Sequence, residues 1–322
     1  MSRPTSREID ELVPYSAIVD RPPLRWPGGA RLALLVIPNI EFYEFEPPAN
    51  PYKNPYPRFP THPDVVWYGH RDHGNRVGFW RMLDLFDRYR LPATASLNVA
   101  VLEHFPEIRE AMVERGWELM SHGLYNTRYL YGLSEAQERA LYAQTLEIAE
   151  RTTGQRLRGM LGPGFTSTSR TPALLAEAGF TYCMDWFIDD QPFPMVVPEG
   201  RLVGVPYAKE INDAFLFGGH PFFGFEGPEF AEMCRDQFDR LYAEGGRVMT
   251  LALHPYLISQ PYRQRYLEEV LEHMLSHEDV WVTTAGEVAD HYLAHYHDDA
   301  LARSVVPAAP SLVDPKGAPD AR

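Results

Sequence analysis

Three sets of polar side chains stand at the ends of predicted β-strands: Asn39 and Glu41 after Ala30–Pro38, His122 after Trp117–Ser121, and His254 after Arg247–Leu253. A fold that delivers polar groups from strand after strand in this way is a parallel β/α barrel. Its chemistry is built at the carboxyl ends of the strands, whereas the opposite face mainly stabilises. The pattern predicts an enzyme with Asn39, Glu41, His122 and His254 on its active rim.

The punctuation between these points supports alternating helices and strands. Phe79, Leu83, Leu85 and Phe86 lie at helix-like spacing in Phe79–Arg90, and Leu91-Pro92 leads into a strand over Ala93–Leu97. Ser134 with Gln137 has the form of a capping box, and Gly154 supplies a C-terminal stop before the next strand, Leu157–Leu161. Pro172–Ala178 with Gly179 precedes Phe180–Met184, and Phe230–Ala243 precedes Val248–Leu253. The rhythm ends with Tyr266–His277, Val280–Thr284 and Ala285–Tyr292. The count predicts an α/β fold, a distorted parallel β/α barrel of seven or eight strands. Its divisions are an N-terminal extension over 1–25, one barrel domain over 26–299 and a flexible tail over 300–322.

Two segments break the rhythm. Pro47–Pro63 holds seven prolines and reads as a long inserted loop, a lid over the site or an arm to a neighbouring subunit. The tail has too little apolar content to fold alone.

Charge and cysteine usage narrow the function. A net charge of −14 argues against nucleic acid and anionic membranes as partners, which need a basic footprint, and favours a small-molecule substrate. The two cysteines, Cys183 and Cys234, are too few for a disulfide framework and fit a reduced, cytoplasmic setting. No apolar run approaches the roughly 18 residues of a membrane span.

Further strings carry a resemblance. They are Asn39-Ile40-Glu41, Ser121-His122-Gly123, Tyr182-Cys183-Met184-Asp185 followed by Asp189-Asp190-Gln191-Pro192, Val205-Pro206-Tyr207 with Asn212-Asp213, and Leu253-His254 with Pro261 and Arg263. In this order and spacing, from about Trp26 to about Tyr292, the chain resembles the polysaccharide deacetylase superfamily. It is most similar to the allantoinase-type branch, which hydrolyses ureide rings. Tyr68-Gly69, Arg76 and Gly78-Phe79-Trp80-Arg81 resemble that branch as well.

The resemblance implies roles, and the departures limit them. Sugar deacetylases carry two aspartates in the first motif, where this chain has Asn39 and Glu41, and an amide cannot take a proton from water. Their second motif offers two metal-binding histidines, where this chain has His122 and Asn126. The arginine of their third motif is missing from Gly162-Pro163-Gly164-Phe165. The implied reaction is hydrolysis of a non-peptide carbon–nitrogen bond in a small cyclic amide, imide or ureide. Glu41, His122, His254, Asp189 and Asp190 are the catalytic candidates. Asn39, Asn126, Asp185, Trp186, Arg76 and Asn212 are the substrate-binding candidates. No metal is required, or a divalent ion such as zinc is held weakly by Glu41, His122 and Asn126, a poor set beside the usual three strong ligands. The alternatives are a metal-dependent N-deacetylase of a carbohydrate or related amide, and a barrel that binds a small ligand without catalysis. The resemblance also implies a homotetramer of D2 symmetry, with Pro47–Pro63 reaching a neighbour.

Overall fold

The computed structural model describes residues 8–48, 63, 65–218 and 224–304, so most of the proline-rich segment and the tail beyond 304 lie outside the described residues. The sheet is built around β1, Leu32–Ile40, whose nine residues are all buried. Burial on both faces is why LALLVIPNI reads as a continuous apolar run rather than an alternating one. The strand continues two residues further than expected, so Asn39 lies within it, paired with Ser96, and Glu41 directly follows it.

The remaining strands are β2 (Thr94–Leu97), β3 (Glu118–Ser121), β4 (Gly159–Met160), β5 (Tyr182–Cys183), β6 (Phe193–Met195), β7 (Leu202–Gly204), β8 (Arg247–Leu253) and β9 (Val280–Thr283). They form one curled sheet in the order β6-β7-β5-β4-β3-β2-β1-β8, with β9 also paired to β1. All pairs are parallel except β6 with β7. This is a distorted, curled β/α barrel with a seam on the free side of β8. Helices connect the strands, among them Glu135–Thr153, whose Ser134–Gln137 capping box and left-handed Gly154 stop are both formed.

The seam is closed by side chains and by a loop. Thr250 Oγ1 donates to the Pro206 carbonyl at 2.8 Å, the Val248 amide donates to the Asp190 carbonyl at 2.9 Å, and Gln191 Nε2 donates to the Gly246 carbonyl at 2.9 Å. The N-terminal segment straps this loop, since Arg21 holds Asp189 through bonds of 2.8 and 2.6 Å. Val13 and Leu24 bury their side chains in the cores, so the described part of the 1–25 extension packs with the barrel.

One helical passage positions the rim. Val65–His73 runs through a π-turn, Gly74–Gly78, into Phe79–Tyr89. A π-turn inserts an extra residue per turn and often marks functional sites. It presses two glycines onto the chain that follows β8. A Cβ at Gly74 would stand 3.0 Å from Tyr256, and one at Gly78 only 2.1 Å from the Pro255 carbonyl oxygen. Gly78 has helical φ, so close approach, not backbone freedom, demands glycine. No helix among the described residues is long and apolar enough to cross a membrane. Both cysteines are buried free thiols.

Because the contact at Gly78 is backbone, it has no flexible atom to give way. Gly78→Ala is expected to destabilise the fold by about 1–3 kcal/mol, the usual cost of overpacking. Urea denaturation measures this, and a steady-state assay should show a larger proportional loss, because Pro255 follows His254 directly.

Candidate active site

The strand ends converge on a cavity of about 220 Å³. Asn39 and Glu41 reach it from β1, His122 from β3, Leu161 from β4, Tyr207 from β7 and His254 from β8. Arg71 enters from the Val65–His73 helix, Asn126 and Tyr129 from the loop after β3, and Asn212 from the turn before the Asp213–Gly218 helix.

Glu41 stands at the centre of the charges. Its Oε1 is 3.4 Å from His254 Nε2 and 4.0 Å from His122 Nε2, and its Oε2 is 3.7 Å from Arg71 Nε. Burial alone would raise this carboxyl, but the His254 hydrogen bond and the charges of His254 and Arg71 outweigh it and hold the group at about 2. Glu41 is therefore an anion and a poor base.

The two histidines are set to opposite states. Burial pushes the His122 imidazole down despite the attraction of Glu41 and the bond to the Leu161 carbonyl. That bond, 2.7 Å from Nδ1, places the ring proton on Nδ1 and leaves the Nε2 lone pair on the Glu41 side. For His254, burial also acts downward, but the Asp213 charge, the Asp213 hydrogen bond and Glu41 carry it up to about 9. Asp213 accepts from His254 Nδ1 at 2.6 Å and from the His254 amide at 2.7 Å, fixing ring and backbone together. The site thus holds a neutral imidazole and an imidazolium on either side of one carboxylate.

Two donors are left unspent. The Arg71 guanidinium lies 4.3, 4.4 and 4.6 Å from the ring centroids of Tyr43, Trp67 and Tyr256, with Nε and Nη1 lacking hydrogen-bond partners. Tyr207 presents a subtler case. Its oxygen accepts from Asn39 Nδ2 at 3.0 Å and from Asn212 Nδ2 at 3.2 Å. The Asn212 amide cannot turn, because its oxygen accepts the Ala214 amide at 2.8 Å, and Asn39 Nδ2 also faces the carbonyls of Ile37 and Leu253. Neither amide can accept the Tyr207 proton, so that proton is available to the cavity. Burial raises the phenol further, keeping it protonated.

The donors named for a metal can be tested against this geometry. Glu41 Oε2 and Asn126 Oδ1 are buried without hydrogen-bond partners, and His122 offers Nε2, a set compatible with a divalent ion. It is a weak set, with one imidazole, one carboxylate oxygen and one amide oxygen. Arg71 and His254 already neutralise the carboxylate, and a dication would have to displace that pairing.

Several sequence candidates lie elsewhere. Asp189 and Asp190 occupy the seam loop beside the start of β8, at the opposite end of that strand from His254; Asp189 is bound to Arg21, and Asp190 is exposed. Arg76 projects outward and pairs with Asp72. Trp186 packs against the core rather than the cavity. Asp185 is one layer behind the wall, where Oδ1 accepts the Gly162 amide at 2.8 Å; burial raises its carboxyl to about 6 against the pull of that bond and Ser167. Asn39, Glu41, His122, Asn126, Asn212 and His254 are brought together. Arg71 and the pairing of Asp213 with His254 were not found from the sequence. The Asn212-Asp213 string marked the segment without naming its partner.

The pKa shifts define a pH window for stability. The His254 contribution is complete below the unfolded value of 6.5 and is lost as pH rises through about 9. The Glu41 contribution is complete above 4.5 and is lost as pH falls through about 2. Both contributions of this pair are complete between 4.5 and 6.5, so thermal melting across pH should show an alkaline decline through about 9 that flattens in Glu41→Gln. An unchanged alkaline decline in that variant would refute the pairing.

The chain is similar to several known proteins. The polysaccharide deacetylase family model matches residues 61–183. A Schizosaccharomyces pombe protein assigned to the polysaccharide deacetylases is 29% identical over 245 residues, 70% of this chain and 75% of that protein. The peptidoglycan deacetylase of Helicobacter pylori is 27% identical over 247 residues, 67% of this chain and 84% of that protein. The PuuE allantoinase structure superposes with a TM-score of 0.74 at 29% identity, covering 86% of this chain and 95% of the allantoinase. The chain is similar in sequence to polysaccharide deacetylases over these residues, and it shares its fold with structures that include an allantoinase.

Proposed function

We propose that this protein is a hydrolase of non-peptide carbon–nitrogen bonds that opens a small, uncharged cyclic amide, imide or ureide. The observation that carries the reading is the pairing of neutral His122 with protonated His254 beside Glu41 in one cavity. Hydrolysis of a ring amide needs a base for water, a donor for the carbonyl oxygen and an acid for the departing nitrogen.

The parts fit those tasks. His122 Nε2 takes a proton from water, and the water oxygen bonds to the carbonyl carbon. The Tyr207 hydroxyl and the free Arg71 N–H groups donate to the oxygen as it gains charge. The carbon–nitrogen bond then breaks as His254 Nε2 passes its proton to the nitrogen, leaving within one opened chain an acid and an amine, a carboxamide or a urea group, according to whether the ring was an amide, an imide or a ureide. His122 ends protonated and His254 neutral, and solvent exchange restores both. Glu41 orients the water and holds His254 and Arg71 in place.

Substrate size and charge follow from the walls. Glu41 and Asp213 balance Arg71 and His254, so a neutral ring disturbs the charges least, and Tyr129, Phe165 and Phe215 bound the space with apolar faces. The deacetylase relatives and the unpartnered Glu41 and Asn126 oxygens favour a second reading, metal-dependent release of acetate from an amide.

A panel of allantoin, hydantoins, succinimide and N-acetylated sugars, each with and without chelator, separates the two. Ring opening that survives chelation is expected; acetate release that disappears with chelator and returns with zinc would overturn the proposal. His122→Ala and His254→Ala should each lower turnover roughly 100- to 10,000-fold. Tyr207→Phe should cost about 100- to 1,000-fold in kcat with little change in KM, because its bond strengthens as the oxygen gains charge.

A further inference from the structure

We infer that this protein has a zinc-class metal site on its outer surface, formed by Asp239, His273 and His277 and separate from the catalytic cavity. Asp239 lies on the Gly227–Glu244 helix, His273 near the end of the Gln264–Leu275 helix, and His277 just beyond it. Each offers one ligand atom, and the three atoms lie within 4.8 Å of one another. Histidines four apart share one side of a helical turn, and the neighbouring helix supplies the carboxylate.

The His277 imidazole is organised as a metal ligand is. His277 Nδ1 donates to the His273 carbonyl at 3.0 Å, which places the ring proton on Nδ1 and leaves Nε2 as a lone pair. A metal-binding histidine commonly gives its second nitrogen to a carbonyl in this manner. His273 Nε2 and Asp239 Oδ1 are 2.7 Å apart, so two ligand atoms already meet. The Phe238 ring stands 5.6 Å from His273 and 4.9 Å from His277, and the Tyr242 ring 4.9 Å from His277. These walls limit the rotamer freedom that binding would otherwise have to remove.

Two imidazoles and one carboxylate select a borderline ion such as zinc over magnesium or calcium, which prefer oxygen ligands. Three protein ligands leave a position for water. The ion would clamp together the two helices that flank β8 in sequence, the strand that carries His254. It would also mean that one bound zinc per chain says nothing by itself about the catalytic cavity.

The test is zinc titration of metal-stripped full-length protein by calorimetry and thermal melting. We compare wild type, His273→Ala with His277→Ala, Asp239→Asn and Glu41→Gln, each checked for native circular dichroism. Expected is one equivalent of zinc that raises Tm in wild type and in Glu41→Gln, is weakened at least about tenfold in Asp239→Asn and is lost in the double histidine variant. Magnesium should have no such effect. Absence of saturable zinc binding would show that Asp239 and His273 form only an ion pair, and binding that ignores the histidine variant but disappears in Glu41→Gln would put the ion in the cavity; either result overturns the inference.

Discussion

The architecture of the rim depends on a buried carboxylate, Glu41, shared between two cations. His254 approaches one oxygen and Arg71 the other, and Asp213 balances His254 from behind. These four groups come from the end of β1, the Val65–His73 helix, the Asp213–Gly218 helix and the end of β8. Removing one partner from such a cluster leaves an uncompensated buried charge, a cost of about 3–5 kcal/mol. The charges are therefore a structural tie between four chain segments as well as a chemical arrangement.

That tie requires backbone at close range. Gly74 and Gly78 let the helical passage lie against Tyr256 and Pro255, and Asn75 on the same π-turn donates to the Glu41 carbonyl at 2.9 Å. One turn thus contacts the chain on both sides of the carboxylate pair. The aromatic faces around Arg71 then shield its guanidinium from water, strengthening its attraction to Glu41.

The strand ends were legible in the sequence because buried parallel strands are apolar throughout, and Asn39, Glu41, His122 and His254 interrupt that pattern. The capping box at Ser134 and the stop at Gly154 were legible for the same local reason. Asp189 and Asp190 misled because adjacency to a strand end does not reveal which way a loop returns, and this one doubles back to close the seam. Arg76 entered through the resemblance, whereas Arg71 stood outside every string that carried it, and no periodicity announces the π-turn, Gly74–Gly78, that turns Arg76 outward. The Asp213–His254 bond joins residues 41 positions apart, a separation at which sequence offers type but no partner.

The groups that move protons and those that wall the cavity sit on different pieces of chain. His122, Glu41 and His254 hang from strand ends fixed by sheet hydrogen bonds, whereas Tyr129, Phe165 and Phe215 come from loops and the short helix above them. The scaffold is modular in consequence: an engineer can exchange the wall residues to admit rings of other shape while the proton machinery stays as it is. Diversification of substrate range in such a barrel is then a matter of loop sequence, with the strands inherited unchanged.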